Sequence, residues 1–315
     1  MSQDNGFVLA LSGGIGGAKL ALGLYRILLP GALTVVANTG DDFEHLGLSI
    51  SPDIDTLLYT LAGIDNPETG WGRCNETWTF MAALAALGGE TWFKLGDGDL
   101  ATHVERTRRL AAGENLSQIT DDFRRRLGIS ARLLPMSNDR VRTRLQTQEG
   151  WLDFQDYFVR LRASPVVREI AYAGASQARA NPDFLAALSG DNLELVVVCP
   201  SNPFLSIDPI LSLPRVRDGL RACRAPVAAV SPIIGGKAVK GPTAKIMAEL
   251  GLPIGAAAVA RHYEDILDFF IADESDASEV EDLGIPVRLT HTLMSTIEDR
   301  EALARVVLTV AGRGV

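Results

Sequence analysis

Hydrophobic positions fall into two rhythms along this chain. Mostly apolar runs at 7–11, 33–37, 193–199, 226–230 and 269–272, interrupted only at Thr34 and Glu194, alternate with longer stretches whose apolar residues recur at helical spacing. A short unbroken apolar run reads as a strand buried on both faces, the kind found in a parallel sheet. The helical spacing predicts helices over 18–26, 56–62, 80–87, 100–112, 116–127, 181–188, 243–250 and 297–311, with another starting near Leu213. Shorter strands are expected at 90–96, 166–171 and 287–290. Strands alternating with helices imply an α/β fold with a doubly wound, Rossmann-like, mainly parallel sheet. The rhythm changes at 131–165, where 131–135, 141–147 and 151–158 alternate in period two around Gln148-Glu-Gly150. That stretch predicts a small β-rich and helical insertion, a β-hairpin unit, with 1–130 and 166–315 forming the core. No internal repeat or low-complexity linker divides the chain.

The polar punctuation falls where such a sheet places its chemistry, at the carboxyl ends of strands. After the first run come four glycines within five positions, Gly13, Gly14, Gly16 and Gly17, and then Lys19. Strand, glycine turn and helix in that order suit a phosphate. Glycines admit a close backbone approach, and the first helical turn offers unpaired N–H donors. The same pattern also serves as a plain tight turn. It is not a Walker A loop, because Leu20 follows Lys19, and Lys19 stands where the dinucleotide fingerprint needs a third Gly or Ala. The run at 193–199 ends in a loop with Ser201, Asn202 and Ser206. The run at 226–230 ends in a second Gly/Lys loop with Ser231, Gly235, Gly236, Lys237 and Lys240. Five acids, Asp41, Asp42, Glu44, Asp53 and Asp55, crowd into fifteen residues. Helix capping by Ser51 or Asp53 accounts for one of them. Oxygen ligands of this kind also suit Mg²⁺ when a substrate phosphate completes its shell. Lys94 interrupts an apolar stretch before a glycine turn and either snorkels or meets a ligand. His103 has no Ser or Cys partner in sight and reads as an ordinary helix histidine.

Composition narrows the classes. Over 315 residues, 47% apolar content is ample for a packed core, and the net charge of -9 argues against a nucleic-acid partner. Cys74, Cys199 and Cys223 lack metal-ligand spacing, which favours a reduced setting. No apolar run reaches 18 residues and the first residues carry no basic region, so a cytoplasmic protein with no membrane partner is expected.

Seven motifs occur in order: Ser12-Gly-Gly-Ile-Gly-Gly-Ala-Lys19, Asn38-Thr-Gly-Asp-Asp42, Ser51-Pro-Asp-Ile-Asp-Thr-Leu-Leu-Tyr59, Lys94-Leu-Gly-Asp97 with Ala101-Thr-His103, Leu134-Pro-Met-Ser-Asn-Asp139, Pro200-Ser-Asn-Pro203 and Ser231-Pro-Ile-Ile-Gly235. Together they resemble the 2-phospho-L-lactate transferase family of coenzyme F-420 biosynthesis over almost the whole chain. The resemblance implies a Mg²⁺-dependent transferase. It would join a phospho-three-carbon acid, activated as its guanosine-diphosphate derivative, to the ribityl hydroxyl of the deazaflavin Fo (7,8-didemethyl-8-hydroxy-5-deazariboflavin), releasing GMP. Carried onto this chain, it implies that Asp55 and Lys94 contact the deazaflavin and that Asp42 and Asp55 hold Mg²⁺ and serve catalysis. Gly13, Gly14, Gly16, Gly17, Ser201, Asn202, Ser206, Ser231, Gly235 and Gly236 would take the nucleotide. The chain departs from the family at Gly98, where a basic residue is common. A homodimer is expected from the fold type. Asp55→Ala is expected to abolish product formation with little change in melting temperature. The alternatives are a nucleotidyl or nucleotide-sugar-type transferase on the same sheet, a nucleotide-binding regulatory protein, and an oxidoreductase, which these loops disfavour.

Overall fold

Residues 6–239, 241–310 and 312 are described by the computed structural model, so Lys240 and Ala311 lie outside the described residues. In chain order the strands are β1 (Phe7–Ser12), β2 (Leu33–Ala37), β3 (Phe43–His45), β4 (Leu48–Ile50), β5 (Arg132–Pro135), β6 (Arg142–Thr147), β7 (Gly150–Asp153), β8 (Glu169–Ala173), β9 (Leu193–Val198), β10 (Val227–Val230), β11 (Ile233–Ile234), β12 (Lys237–Ala238), β13 (Phe269–Asp273) and β14 (Val287–Thr290). Seven of them build one sheet in the order β14-β13-β10-β9-β1-β2-β5. Every neighbouring pair in it is parallel.

Alternation along β1 divides the core. Leu9 and Leu11 join Val196, Val198 and Phe204 on one face, whereas Val8 and Ala10 meet Leu20, Leu24, Val35 and Leu57 on the other. Both faces are therefore covered, and the central strands read as mostly apolar runs for that reason. The helices that matter for the site are α1 (Gly14–Ile27), α2 (Pro52–Ala62), α3 (Thr79–Ala86), α4 (Asp97–Ala111) and α5 (Leu116–Arg126). The chain leaves β1 for β2 and β5 and later returns as β9 on the other side of β1. The strand order reverses there, and the carboxyl ends of β1 and β9 flank the crevice.

Several expectations change. Helix α1 starts at Gly14, so the glycines at 14, 16 and 17 lie inside its first turn, not in a turn before it. Residues 90–96 form no strand. They have no strand neighbour to pair with, and Trp92 and Phe93 instead pack on the β3–β4 hairpin, with Phe43 and Phe93 ring centroids 4.8 Å apart. Strand β5 belongs to the main sheet, paired parallel to β2, not to the insertion. As an edge strand it tolerates Pro135, whose missing N–H has no ladder to complete. Conversely β8 leaves the core. It pairs antiparallel with β6 in a three-stranded sheet of order β7-β6-β8. The antiparallel unit therefore starts after Pro135 and reaches Ala173, later at both ends than period-two alternation indicated. The strand expected at 151–158 stops at Asp153 and gives way to a π-helix over Asp156–Arg160.

Candidate functional site

One cavity of about 800 Å³ opens over the carboxyl ends of the central strands. Its volume lies in the range of small-molecule and cofactor sites. Among the residues expected from sequence, Gly13, Gly14, Gly16, Asp55, Lys94, Ser201, Asn202, Ser206 and Ser231 line it together. Their loops are up to 218 positions apart, from Gly13 to Ser231, and meet because parallel strands present their carboxyl ends on one side.

The loop after β1 is held by the loop after β9. Ser201 Oγ donates to the Gly13 carbonyl at 2.7 Å. At Gly16 the two backbones approach so closely that an added Cβ would stand 2.2 Å from the Pro200 carbonyl oxygen. Gly14 adopts φ +62°, a left-handed conformation that suits glycine. Its N–H donates to Asp53 Oδ1 at 2.7 Å, and Asn38 Nδ2 donates to the other oxygen at 2.9 Å. Asp53 thus caps α1, a partner 39 positions away, and not its own helix α2. Lys19 lines the cavity and donates to the Met294 carbonyl at 2.6 Å.

Three expected nucleotide contacts and one expected metal ligand stand apart. Gly17 is buried against Ser12 and Ser201, where a Cβ would come within 2.4 Å of Ser12 Oγ. Its role is to let α1 pack on the β9 loop. Gly235 and Gly236 form the tight turn between β11 and β12 at φ +56° and +70°, and Gly236 N–H donates to Asp276. Neither lines the cavity, because the hairpin carries the turn away from the crevice. Asp42 sits behind the wall and accepts from Ser51 Oγ at 2.8 Å.

The acids behave differently from one another. Burial raises Asp41 well above the ordinary carboxylate range, and the charge of Asp53 raises it further. Burial likewise pushes Asp42 up to about 7 and Asp53 up to about 6. Asp41 Oδ1 and Asp42 Oδ1 are buried with no hydrogen-bond partner among the described residues. Asp41 and Asp53 both face the cavity. Asp55 is engaged by Arg106, whose Nη1 donates to Oδ2 at 3.0 Å and whose Nη2 pairs with Oδ1. No group of three or more His, Cys, Asp or Glu capable of holding a metal occurs among the described residues.

Sequence reasoning expected helix α4 but placed none of its residues in the site. Asp99 and His103 line the cavity, and Arg106 lies one turn beyond, buried to 1% exposure. The spacing i, i+4, i+7 places all three on one face, which was the available signal. Asp99 accepts from Tyr59 Oη at 2.7 Å. Burial works against its charge, but His103, Tyr59 and Arg106 together hold it below the usual carboxylate range. The insertion also contributes, through Phe154, Gln155, Phe158 and Arg162, to a lining shared with Trp92 and Phe93. Beside Gly98 a basic side chain is present, though outside the cavity lining. Arg73 Nη1 donates to the Gly98 carbonyl at 3.4 Å, and its guanidinium lies 5.6 Å from the Tyr59 ring centroid.

The family model described as 2-phospho-L-lactate transferase CofD matches residues 8–293. The chain belongs to this family. A protein from Streptomyces griseus named phosphoenolpyruvate transferase is 41% identical over 313 residues, covering 96% of this chain and 98% of its own. One of the same name from Mycolicibacterium smegmatis is 39% identical over 326 residues, covering 97% and 98%. Among solved structures, a UPF0052-family protein from Bacillus halodurans superposes with a TM-score of 0.66 at 14% identity, covering 96% of this chain and 100% of that one. That likeness concerns the fold. Family membership makes the chain a transferase, acting between a phosphoacid donor and an acceptor. No helix among the described residues is long and apolar enough to cross a membrane.

Proposed function

We propose that the protein transfers a phospho-three-carbon-acid group from a guanosine-diphosphate-activated donor to the ribityl hydroxyl of the deazaflavin Fo, releasing GMP. One observation carries this reading. The β1 and β9 loops, the acids Asp41 and Asp53, and the expected deazaflavin contacts Asp55 and Lys94 all line the same cavity. The name shared by the relatives, phosphoenolpyruvate transferase, favours an enolpyruvyl donor over phospholactate or 3-phosphoglycerate.

In this reading the diphosphate lies beside the loops at 13–16 and 200–206, where Lys19 adds positive charge. The acceptor ring lies between Trp92, Phe93 and Phe158, with Lys94 at its edge. The primary hydroxyl attacks the phosphorus that carries the acid, and the bond to the GMP oxygen breaks. Little covalent chemistry falls to the protein in such a transfer, so placement and charge neutralisation dominate. Asp55 accepts the hydrogen bond of the incoming hydroxyl.

The donor set fits Mg²⁺, with a change in its members. Asp55 is already matched to Arg106, and Asp42 lies behind the wall. Asp41 and Asp53 face the cavity, repel one another and leave Asp41 Oδ1 unpartnered. Two carboxylates, substrate phosphate and water are the ligands Mg²⁺ prefers. When bound there, Mg²⁺ supplies charge neutralisation for the diphosphate. Mass spectrometry of mixtures of protein, Mg²⁺, Fo and each GDP-linked acid tests the whole reading. A condensed product with GMP released is expected from the enolpyruvyl donor, and no product from any of the three acids would overturn it.

A further inference from the structure

The insertion brings to the cavity a cation that neither the nucleotide loops nor the deazaflavin contacts account for. Among the described residues the lining holds three cationic side chains, Lys19, Lys94 and Arg162. Lys19 is tied to the Met294 carbonyl, and Lys94 belongs to the expected acceptor contacts. Arg162 is exposed within this lining, and its side chain makes no hydrogen bond or ion pair among the described residues.

The backbone there is strained. The π-helix Asp156–Arg160 closes with the Ala163 N–H donating to the Tyr157 carbonyl at 2.8 Å, and that turn puts both Arg162 and Ala163 at φ +52°. Glycine is the usual residue at such a left-handed helix end, because a Cβ there crowds the backbone. Strained backbone of this sort gathers at ligand sites, where the surrounding structure holds it in place. Here the surroundings are firm. Lys245 Nζ donates to the Pro165 carbonyl at 2.7 Å, and the Val167 N–H donates to Glu249 at 2.9 Å. Both partners lie on the helix Thr243–Glu249, whose Thr243 Oγ1 accepts from Asn202 at 3.0 Å.

Residues 158–165 thus run from the aromatic part of the lining, at Phe158, to a tie with the helix that meets the β9 loop. Arg162 falls between the place proposed for the acceptor ring and the loop proposed for the diphosphate. In the transfer, the group between those two is the three-carbon acid. Its carboxylate is an anion that the lining acids Asp41, Asp53, Asp55 and Asp99 repel. A guanidinium offers a carboxylate two parallel N–H donors, a fit that an ammonium lacks.

We propose that Arg162 reads the carboxylate of the donor's acid group through a bidentate ion pair, so that the insertion selects the donor by its acid and not by its nucleotide. The donor's identity rests on the proposed function, but the role of Arg162 is tested by binding, without turnover.

Calorimetry of the full chain with Mg²⁺ compares two probes, the GDP-linked enolpyruvyl acid and its carboxamide, which keeps the shape and loses the charge. Wild type should bind the acid roughly tenfold tighter, as one charge-assisted bidentate contact implies. Arg162→Asn should lose roughly tenfold on the acid and little on the carboxamide, GDP or Fo. It should also melt at or above wild type, because asparagine tolerates the left-handed backbone. Arg162→Lys keeps the charge without the fork and should recover part of the loss. Equal wild-type affinity for acid and carboxamide, or an equal loss on both in Arg162→Asn, would overturn the proposal. So would a loss confined to Fo. A wild type that prefers the acid in this way but forms no product would sink the transferase reading alone. Failure to bind either probe would remove both.

Discussion

Replacing Asp55 by alanine should unfold part of what it inactivates. The carboxylate is 4% exposed and its Arg106 partner 1%, so the substitution strands a guanidinium in the interior. Its remaining acceptors are poor, the Ser49 carbonyl at 3.4 Å and His103 Nδ1 at 3.3 Å. Removing one partner of a buried pair costs about 3–5 kcal/mol. For 315 residues, at ~2.1 cal/mol/K per residue, unfolding entropy is ~0.66 kcal/mol/K, so the melting temperature should fall by ~5–8 °C. This revises the expectation of little change in melting temperature, which did not take in the buried Arg106 partner. The decisive companion is Asp55→Ala with Arg106→Met, which removes the stranded charge and fills its space with an apolar chain. Apolar replacement of a whole buried pair is often neutral, so the double variant should recover at least about half the lost stability. Both variants should fail to form product, since each lacks the carboxylate. Differential scanning fluorimetry and the product assay read the two effects apart. A melting temperature for Asp55→Ala within a degree or so of wild type would refute the buried-pair argument, as would a double variant less stable than the single one.

Gly16→Ala places a Cβ against the backbone oxygen of Pro200, which has no flexible end to yield. The β9 loop must shift, at a cost of about 1–3 kcal/mol, and GDP affinity by calorimetry should drop in parallel. Unchanged stability together with unchanged GDP binding would show that the two loops do not need that approach. Asp42, raised to about 7 from 3.8 by burial, should make stability pH-dependent. A carboxyl whose folded pKa is raised contributes stability that is complete below its unfolded pKa and lost as pH rises through the folded value. In EDTA, Asp42→Asn should therefore be stabilised relative to wild type at pH ~8 and gain little at pH ~4. The same difference in melting temperature at both values would contradict the shift.

The residue pattern alone indicated a mainly parallel sheet and chemistry at the carboxyl ends of its strands. Short, mostly apolar runs such as β9 suit strands buried on both faces, and strand ends followed by Gly, Ser or Asp are local signals. The motifs from Ser12 to Gly235 were enough to indicate the family. Tertiary structure decided which of those residues share a cavity. Asp53 looked like the cap of its own helix and instead caps α1, because β1 and β2 are parallel neighbours and the segments that follow them leave the same end of the sheet. Asp41 and Asp53 face the crevice while Asp42, adjacent in sequence, faces Ser51, a matter of side-chain direction in an irregular loop that no periodicity encodes. β5 and β8 exchanged membership between core and insertion, because pairing partners distant in the chain decide which sheet a short strand joins. The role of α4 depended on the same fact: Arg106 meets Asp55 across 51 positions, and that contact exists only once α2 and α4 are packed.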